Sequence, residues 1–227
     1  MALAISDYLS ELPSMPLFRG IEKEELRAIM VCLGAYLKEY EKGAYIHLQD
    51  EDILCVGVVL SGNVQMIRED VWGNKALLVN MGKGEMFGET FVCGGIHNRY
   101  VSFVTSEKTV VLFASFQRVI SSCAESCSFH RQLIENMVAA IADKNVTLME
   151  KVDLISKKSL REKISQYLTI QAEQAGKMTF TIPLGRVQLA EYLHADRSAL
   201  TRELNLMADE GLIAFHRNNF QILNRLA

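Results

Sequence analysis

Proline is scarce in this sequence, three residues against 14 glycines, which leaves no room for a proline-rich linker. No apolar run approaches the roughly 18 residues that a membrane-crossing helix needs. Residues 1–16 carry acids where an export signal needs bases, and they lack a continuous apolar block, so a cytoplasmic location without a membrane partner is expected. Cysteine is sparse and odd in number (Cys32, Cys55, Cys93, Cys123, Cys127), which argues against a disulfide framework. Excess positive charge is also missing: the chain is net -3, so it is not built to coat nucleic acid over its whole surface. What is present is 49% hydrophobic and 22% charged residues over 227 positions, enough for one large or two modest cores, and this excludes intrinsic disorder.

The average charge hides an asymmetry. Residues 156–227 hold ten Lys or Arg against seven acids, a net +3 that leaves -6 for the rest. One part of the chain is suited to a polyanion and the other to something else.

From Tyr40 to Phe113, short apolar runs (ILCVGVVL, NVQMI, KALLV, YVSFV, TVVLF) alternate with Gly or Asn, as in a β-barrel or rolled sheet. A helix precedes them, with Ile21, Leu26, Ile29 and Met30 near one face. After Phe113 the period changes. Ile134, Val138, Ile141, Asn145, Leu148, Val152 and Ile155 recur at alternating intervals of four and three, a heptad seam with Val138, Asn145 and Val152 at a. Such a seam predicts a homodimer whose register is set by Asn145 meeting its symmetry mate; the alternative is a long amphipathic helix packed on its own domain. A break follows at Ser156–Ser159, then a helix along Leu160, Ile164, Tyr167, Leu168 and Gln171 that stops at Gly176, then a short strand in MTFTIPL.

The stretch from Gly185 to Leu223 divides into two helices and a hairpin. A helix over about 186–193 is followed by the turn His194-Ala195-Asp196 and a helix from Arg197 to about Glu210, with Asp196 as its cap and Gly211 as its stop. Leu200, Leu204 and Met207 are expected to lock against Val187, Leu189, Ala190 and Leu193, which makes a helix-turn-helix. LIAFH and FQIL around Arg217-Asn218-Asn219 read as a β-hairpin wing. Arg197, Ser198, Thr201 and Arg202 are left on the outer face of the second helix, where a recognition helix meets base edges. Arg186, His216 and Arg217 are candidates for phosphate contacts that set register. The competing reading, an exposed polar helix face, does not account for turn, cap, stop and wing falling together.

A roll, a long helix and a winged helix-turn-helix in that order resemble the CRP/FNR family of bacterial transcription regulators over nearly the whole chain. KGEMFGETFVCGGIHNRY looks like the family's phosphate-binding cassette, and DRSALTRELNLMADEGLI is similar to its recognition helix. The resemblance implies an α+β fold: a cyclic-nucleotide-binding-like β-roll with flanking helices (1–127), a dimerisation helix (128–156) and a winged helix-turn-helix DNA-binding domain (157–227). It implies an effector pocket at Gly88, Glu89, Thr90, Arg99 and Tyr100, where Glu89 and Arg99 match the residues that take ribose and phosphate in members that bind cyclic AMP. Without the resemblance, Glu89 and Arg99 read more simply as a structural ion pair or as surface charges. Tyr100 stands where a small hydroxyl should be, and a phenol there would crowd the anion. By a gapless count back from Leu160-Arg161-Glu162-Lys163-Ile164, the polar pair that reads adenine falls here on Leu148 and Met149, which cannot supply hydrogen bonds. The effector is therefore expected to be a small molecule other than cyclic AMP. Ser198 stands where some relatives carry a Glu, so their operator is not assumed.

Other functions fit less well. The family's iron-sulfur members carry clustered Cys near the N-terminus, whereas residues 1–31 hold none; Cys123 and Cys127 supply half of a four-ligand set, and Cys93 and His97 lie near where a haem-binding relative takes its ligands. No metal or haem is expected, and a redox- or metal-responsive regulator is the alternative. A cupin-like enzyme would need a His-x-His pair, but the roll offers only His47 and His97, and no nucleophile, Walker or dinucleotide motif is present, so the chain is not expected to be an enzyme. A protein-interaction module is disfavoured by the net +3 and by Arg197 and Arg202. The expected function is a homodimeric, allosterically controlled, sequence-specific regulator that binds double-stranded DNA at an approximate inverted repeat, with RNA polymerase as a further partner.

Overall fold

The computed structural model describes residues 4–70, 72, 75–98, 100–120 and 128–226, and the chain divides into two compact units, Met1–Asp143 and Lys144–Ala227. The first unit begins with short 3-10 turns and α1 (Lys23–Cys32). Glu22 and Glu25 close a capping box at the start of α1, and Leu26, Ile29 and Met30 on its inner face are buried. Eight strands follow: β1 (Tyr36–Tyr40), β2 (Tyr45–His47), β3 (Cys55–Ser61), β4 (Val64–Glu69), β5 (Lys75–Met81), β6 (Met86–Phe87), β7 (Ser102–Thr105) and β8 (Thr109–Ser115), with α2 (Glu89–Gly94) after β6 and α3 (Phe116–Ile120) after β8. They form two antiparallel sheets, β1-β8-β3-β6 and β2-β7-β4-β5.

The apolar runs in β3 and β8 show no clean alternation because their sheet is covered on both faces. Val59, Val111 and Phe113 point into the roll with Phe87 and Phe103, whereas Val56, Val58, Leu60, Val110, Leu112 and Ala114 pack outward against α1 and the N-terminal turns. Gly57 is needed where the Phe87 ring crosses β3, since a Cβ there would lie 2.4 Å from a ring carbon. β1 lies outside the strand region expected from sequence, apart from Tyr40, while β2 lies inside it although YIH is not among the apolar runs named there. β1 is an edge strand in which Lys38 and Glu39 break the apolar pattern, and only its last residue, Tyr40, is buried.

His47 sits at the roll's aromatic cluster, edge-on to Phe103 and Phe113. Burial holds its imidazole below the usual histidine range, and the opposing effect of Glu51 does not cancel this. The folded state therefore binds fewer protons at this site than the unfolded chain, and stability falls as pH drops from the unfolded value near 6.5 towards the folded one. The loss of stability between pH 7 and pH 5 is expected to be smaller in His47→Phe than in the wild type. Urea titration at the two pH values checks this, and an equal loss in both proteins would contradict it.

Helix α4 (Ser128–Ile155) runs from the first unit into the second, where Leu154 is buried with Ile164, Leu168 and Leu193. The expected break at Ser156–Ser159 is present, but residues 144–155 already belong to the second unit. Next comes α5 (Leu160–Ala175), which starts at a capping box: Glu162 N–H donates to Ser159 Oγ (3.1 Å) and Ser159 N–H to the Glu162 carboxylate (3.2 Å). β9 (Thr179–Thr181), α6 (Arg186–Tyr192), α7 (Arg197–Asp209), β10 (Ile213–His216) and β11 (Asn219–Ile222) complete the unit, the strands pairing in the order β10-β11-β9. Leu200, Leu204 and Met207 of α7 meet Leu189 and Leu193 in a core that Phe180, Ile213 and Phe220 close from the sheet. Val187 departs from the expected seam: it is exposed, because helical spacing places it nearly opposite Leu189 and at the edge of the face that Leu189, Ala190 and Leu193 bury.

Candidate nucleic-acid interface and effector pocket

The outer face of α7 is set by its cap. The Asp196 carboxylate accepts from the backbone N–H of Ser198 (2.8 Å) and of Ala199 (3.1 Å), and also from the Ser198 hydroxyl. These donors, the Ser198 hydroxyl foremost, hold the Asp196 carboxyl below the usual carboxylate range. His194 in the preceding turn takes φ 50°, the left-handed conformation that lets α7 follow α6 with four residues between them.

With Leu200, Leu204 and Met207 turned inward, Arg197, Ser198, Thr201 and Arg202 are all exposed and share one continuous open face with Asn205, Leu206 and Asp209. Ser198 and Thr201 are not free donors there. The Ser198 hydroxyl is committed to the cap, and Thr201 Oγ1 donates to the Arg197 carbonyl (2.9 Å). What they present outward is oxygen lone pairs and the Thr201 methyl, so the outward donors are Arg197, Arg202 and the Asn205 amide. Asn205 was not singled out from sequence, although it follows Ser198 by seven residues and Thr201 by four and so lies on the same stripe. Asp209 ends that stripe with a charge that repels phosphate.

The wing places His216 and Arg217 in the open, with Arg217 at φ 55° in the two-residue turn between β10 and β11; Asn219, expected in the turn, is the first residue of β11. Arg186 differs from the expectation of a phosphate contact. Its guanidinium lies over the rings of Phe215 (5.1 Å) and Phe220 (5.7 Å) and donates to the Arg217 carbonyl (3.2 Å), and burial lowers its pKa. It braces the wing instead of facing outward.

On α4, Val138 (59%), Asn145, Leu148 (58%) and Val152 are exposed, while Ile134, Ile141 and Ile155 are half-buried, Ile141 against the first unit's own core. A helix of 3.6 residues per turn drifts about 20° per heptad from a strict 3.5 repeat, so not every seam position stays outside. Val146 and Met149, absent from the expected seam, are exposed and widen the apolar stripe.

In the first unit, Gly88 takes φ 84° as the residue capping α2, and a Cβ there would meet the Cys55 carbonyl at 3.0 Å. Its neighbour Glu89 is buried, and Thr90 is exposed. Tyr100 is 63% exposed, so its phenol does not fill the roll. Arg99, Cys123 and Cys127 lie outside the described residues. Asn98, fully buried, ties the loop before Tyr100 to the β2–β3 loop by donating to the carbonyls of Leu48 (3.2 Å) and Val101 (2.9 Å). Burial pushes the Cys55 and Cys93 thiols up, away from the reactive thiolate form. Among the described residues, no three His, Cys, Asp or Glu side chains group as metal ligands, and no helix is long and apolar enough to cross a membrane.

Comparison with known proteins covers both units. Residues 37–126 match the cyclic nucleotide-binding domain, and residues 162–227 match the Crp-like helix-turn-helix domain. The chain is similar to the probable transcriptional regulator flp of Lacticaseibacillus casei, 24% identical over 212 residues that cover 92% of each chain. It is also similar to the cyclic AMP receptor protein of Thermus thermophilus, 26% identical over 198 residues, 87% of this chain and 88% of the other. Among solved structures, CprK complexed with OCPA shares the fold at TM-score 0.72, 16% identity and coverage of 88% and 90%.

Proposed function

The chain belongs to the CRP/FNR family of DNA-binding transcription regulators, which are not enzymes, and from that premise we propose that it acts as a cytoplasmic homodimer reading an approximate inverted repeat. The observation that carries the reading is the open face of α7, where Arg197, Arg202 and Asn205 are the outward donors and Thr201 offers a methyl. An Arg fork suits guanine, an Asn amide suits adenine and a Thr methyl suits thymine. His216 and Arg217 on the wing serve phosphates. Arg186 contributes by holding the wing in shape. The exposed stripe through Val138, Asn145, Leu148 and Val152 supports pairing of two α4 helices, with Ile134, Ile141 and Ile155 at its margin and RNA polymerase as a downstream partner of the bound dimer.

Three functional segments follow: an effector-sensing roll (1–127), the pairing helix (128–156) and the reading domain (157–227). The effector is a small molecule held at Gly88, Glu89, Thr90 and Arg99, with Tyr100 at the rim. Leu148 and Met149, apolar where an adenine reader needs hydrogen bonds, favour an effector other than cyclic AMP. Binding shifts the balance between conformations that differ in DNA affinity.

Arg202→Ala tests the reading face. Discrimination between the selected site and random duplex is expected to fall by about 1 to 3 kcal/mol, measured by fluorescence anisotropy at fixed salt. An unchanged ratio would reject α7 as the reading helix.

A further inference from the structure

Apolar packing sets which face of α7 turns inward but restrains a rotation of the order of 10° only weakly. Leu200, Leu204 and Met207 are fully buried, yet contacts between aliphatic side chains have little directional preference. Rotation matters for a reading helix, because a side-chain tip about 5–6 Å from the axis moves about 1 Å for a 10° turn. A hydrogen bond to a base edge fails over a similar distance.

A directional restraint is present on the flank of α7. Arg161, in the first turn of α5, donates through Nε to Glu203 Oε1 (2.5 Å) and through both Nη atoms to the Glu210 carboxylate (2.7 and 2.8 Å). Glu203 and Glu210 are seven residues apart, so they lie on one side of the helix about two turns from each other. That side adjoins both the buried face and the open face of Arg197, Ser198, Thr201, Arg202 and Asn205. Lys163, two residues after Arg161, donates to the Leu193 carbonyl at the end of α6 (3.2 Å), so α5 grips both helices of the motif.

The pairing is partly open to solvent, with side chains of Arg161, Glu203 and Glu210 at 36%, 21% and 46% exposure. Ion pairs in such settings add little to stability. A two-pronged guanidinium-carboxylate pair is geometrically selective, and that is the property a reading helix requires. The clamp also occupies two carboxylates on a helix that approaches phosphates; the Arg161 guanidinium holds the Glu210 carboxyl below the usual carboxylate range and so ionised.

We infer that Arg161 is a positioning residue for sequence recognition: by gripping Glu203 and Glu210 it sets the rotation of α7 and therefore which bases Arg197, Arg202 and Asn205 meet. The inference rests on the proposal that α7 reads DNA, and it adds a residue on another helix that touches no base.

The test uses the full-length protein, its selected duplex and a random duplex of equal length. Arg161→Lys keeps the charge and removes the fork, and Glu210→Gln removes the two-pronged half at an exposed position. In each, the ratio of specific to non-specific affinity is expected to fall about tenfold, the size of losing one base-specific pair, while non-specific affinity and melting temperature stay close to wild type. The triple variant Arg161→Met, Glu203→Gln, Glu210→Gln removes the charges together, and its ratio is expected to stay low. Recovery of the ratio in the triple variant would show that the clamp only neutralises charge and would overturn the inference. So would an unchanged ratio in Glu210→Gln, which decides the matter if Arg161→Lys does not fold. A wild type that discriminates no sequence would instead reject the reading of α7 itself.

Discussion

Val138→Glu combined with Val152→Glu is expected to yield a monomer whose affinity for its duplex site is lower by roughly 10²- to 10⁴-fold, the range by which joining two binding modules raises avidity. Val138 and Val152 are 59% and 51% exposed in the single chain, so carboxylates there meet water and the fold of the protomer is preserved. In a pair of helices the same carboxylates would face their symmetry mates across an apolar seam, where desolvation and like charge both oppose association. Light scattering reads the oligomeric state and anisotropy the affinity. A double variant that remains dimeric and binds as before would contradict the pairing surface. Asn145 gives a finer reading of the same surface. Replacing it with Val is expected to strengthen association while relaxing register, because the amide is the one polar group at an a position of the seam.

Leu204→Ala is expected to destabilise the second unit by about 2–5 kcal/mol, since it empties a fully enclosed site that neighbouring helices refill only in part. Leu204 is 0% exposed at the middle of α7 and shares its core with Leu200, Met207, Leu189 and Phe220. Chemical denaturation measures the cost, and a loss below about 1 kcal/mol would mean that this seam is not the packed centre of the domain. Arg202→Ala provides the contrast. It lies two residues away on the opposite face and should leave stability unchanged while altering DNA discrimination.

Those two faces of α7 were legible in the sequence because every signal for them is local. Asp196 before the helix, Gly211 after it and Leu200, Leu204 and Met207 at helical spacing orient the helix without reference to the rest of the chain. The strands β3 to β5, β7 and β8 were legible for a similar reason, as apolar runs bounded by turn residues. What stayed hidden depends on contacts distant in sequence. β1 pairs with β8, about 70 residues later, and its own pattern is spoiled by charges that face solvent at a sheet edge. Arg186 reads as a free cation until Phe215 and Phe220 fold over it from the wing. Ser198 and Thr201 read as residues of the outer face, with nothing in the sequence to show that the cap and the helix carbonyl claim their hydroxyl protons. The grip of Arg161 on Glu203 and Glu210 spans more than 40 residues and left no trace in any periodicity.

Two copies are expected to present paired α7 helices to successive major grooves about one helical turn, roughly 34 Å, apart. Selection of bound sites from random duplex DNA, run with and without a pool of small metabolites, tests it most directly. The expected result is enrichment of an approximate inverted repeat with half-sites about 10 base pairs apart, sharpened or lost as the pool is added. Recovery of a lone half-site, or no enrichment under either condition, would contradict it.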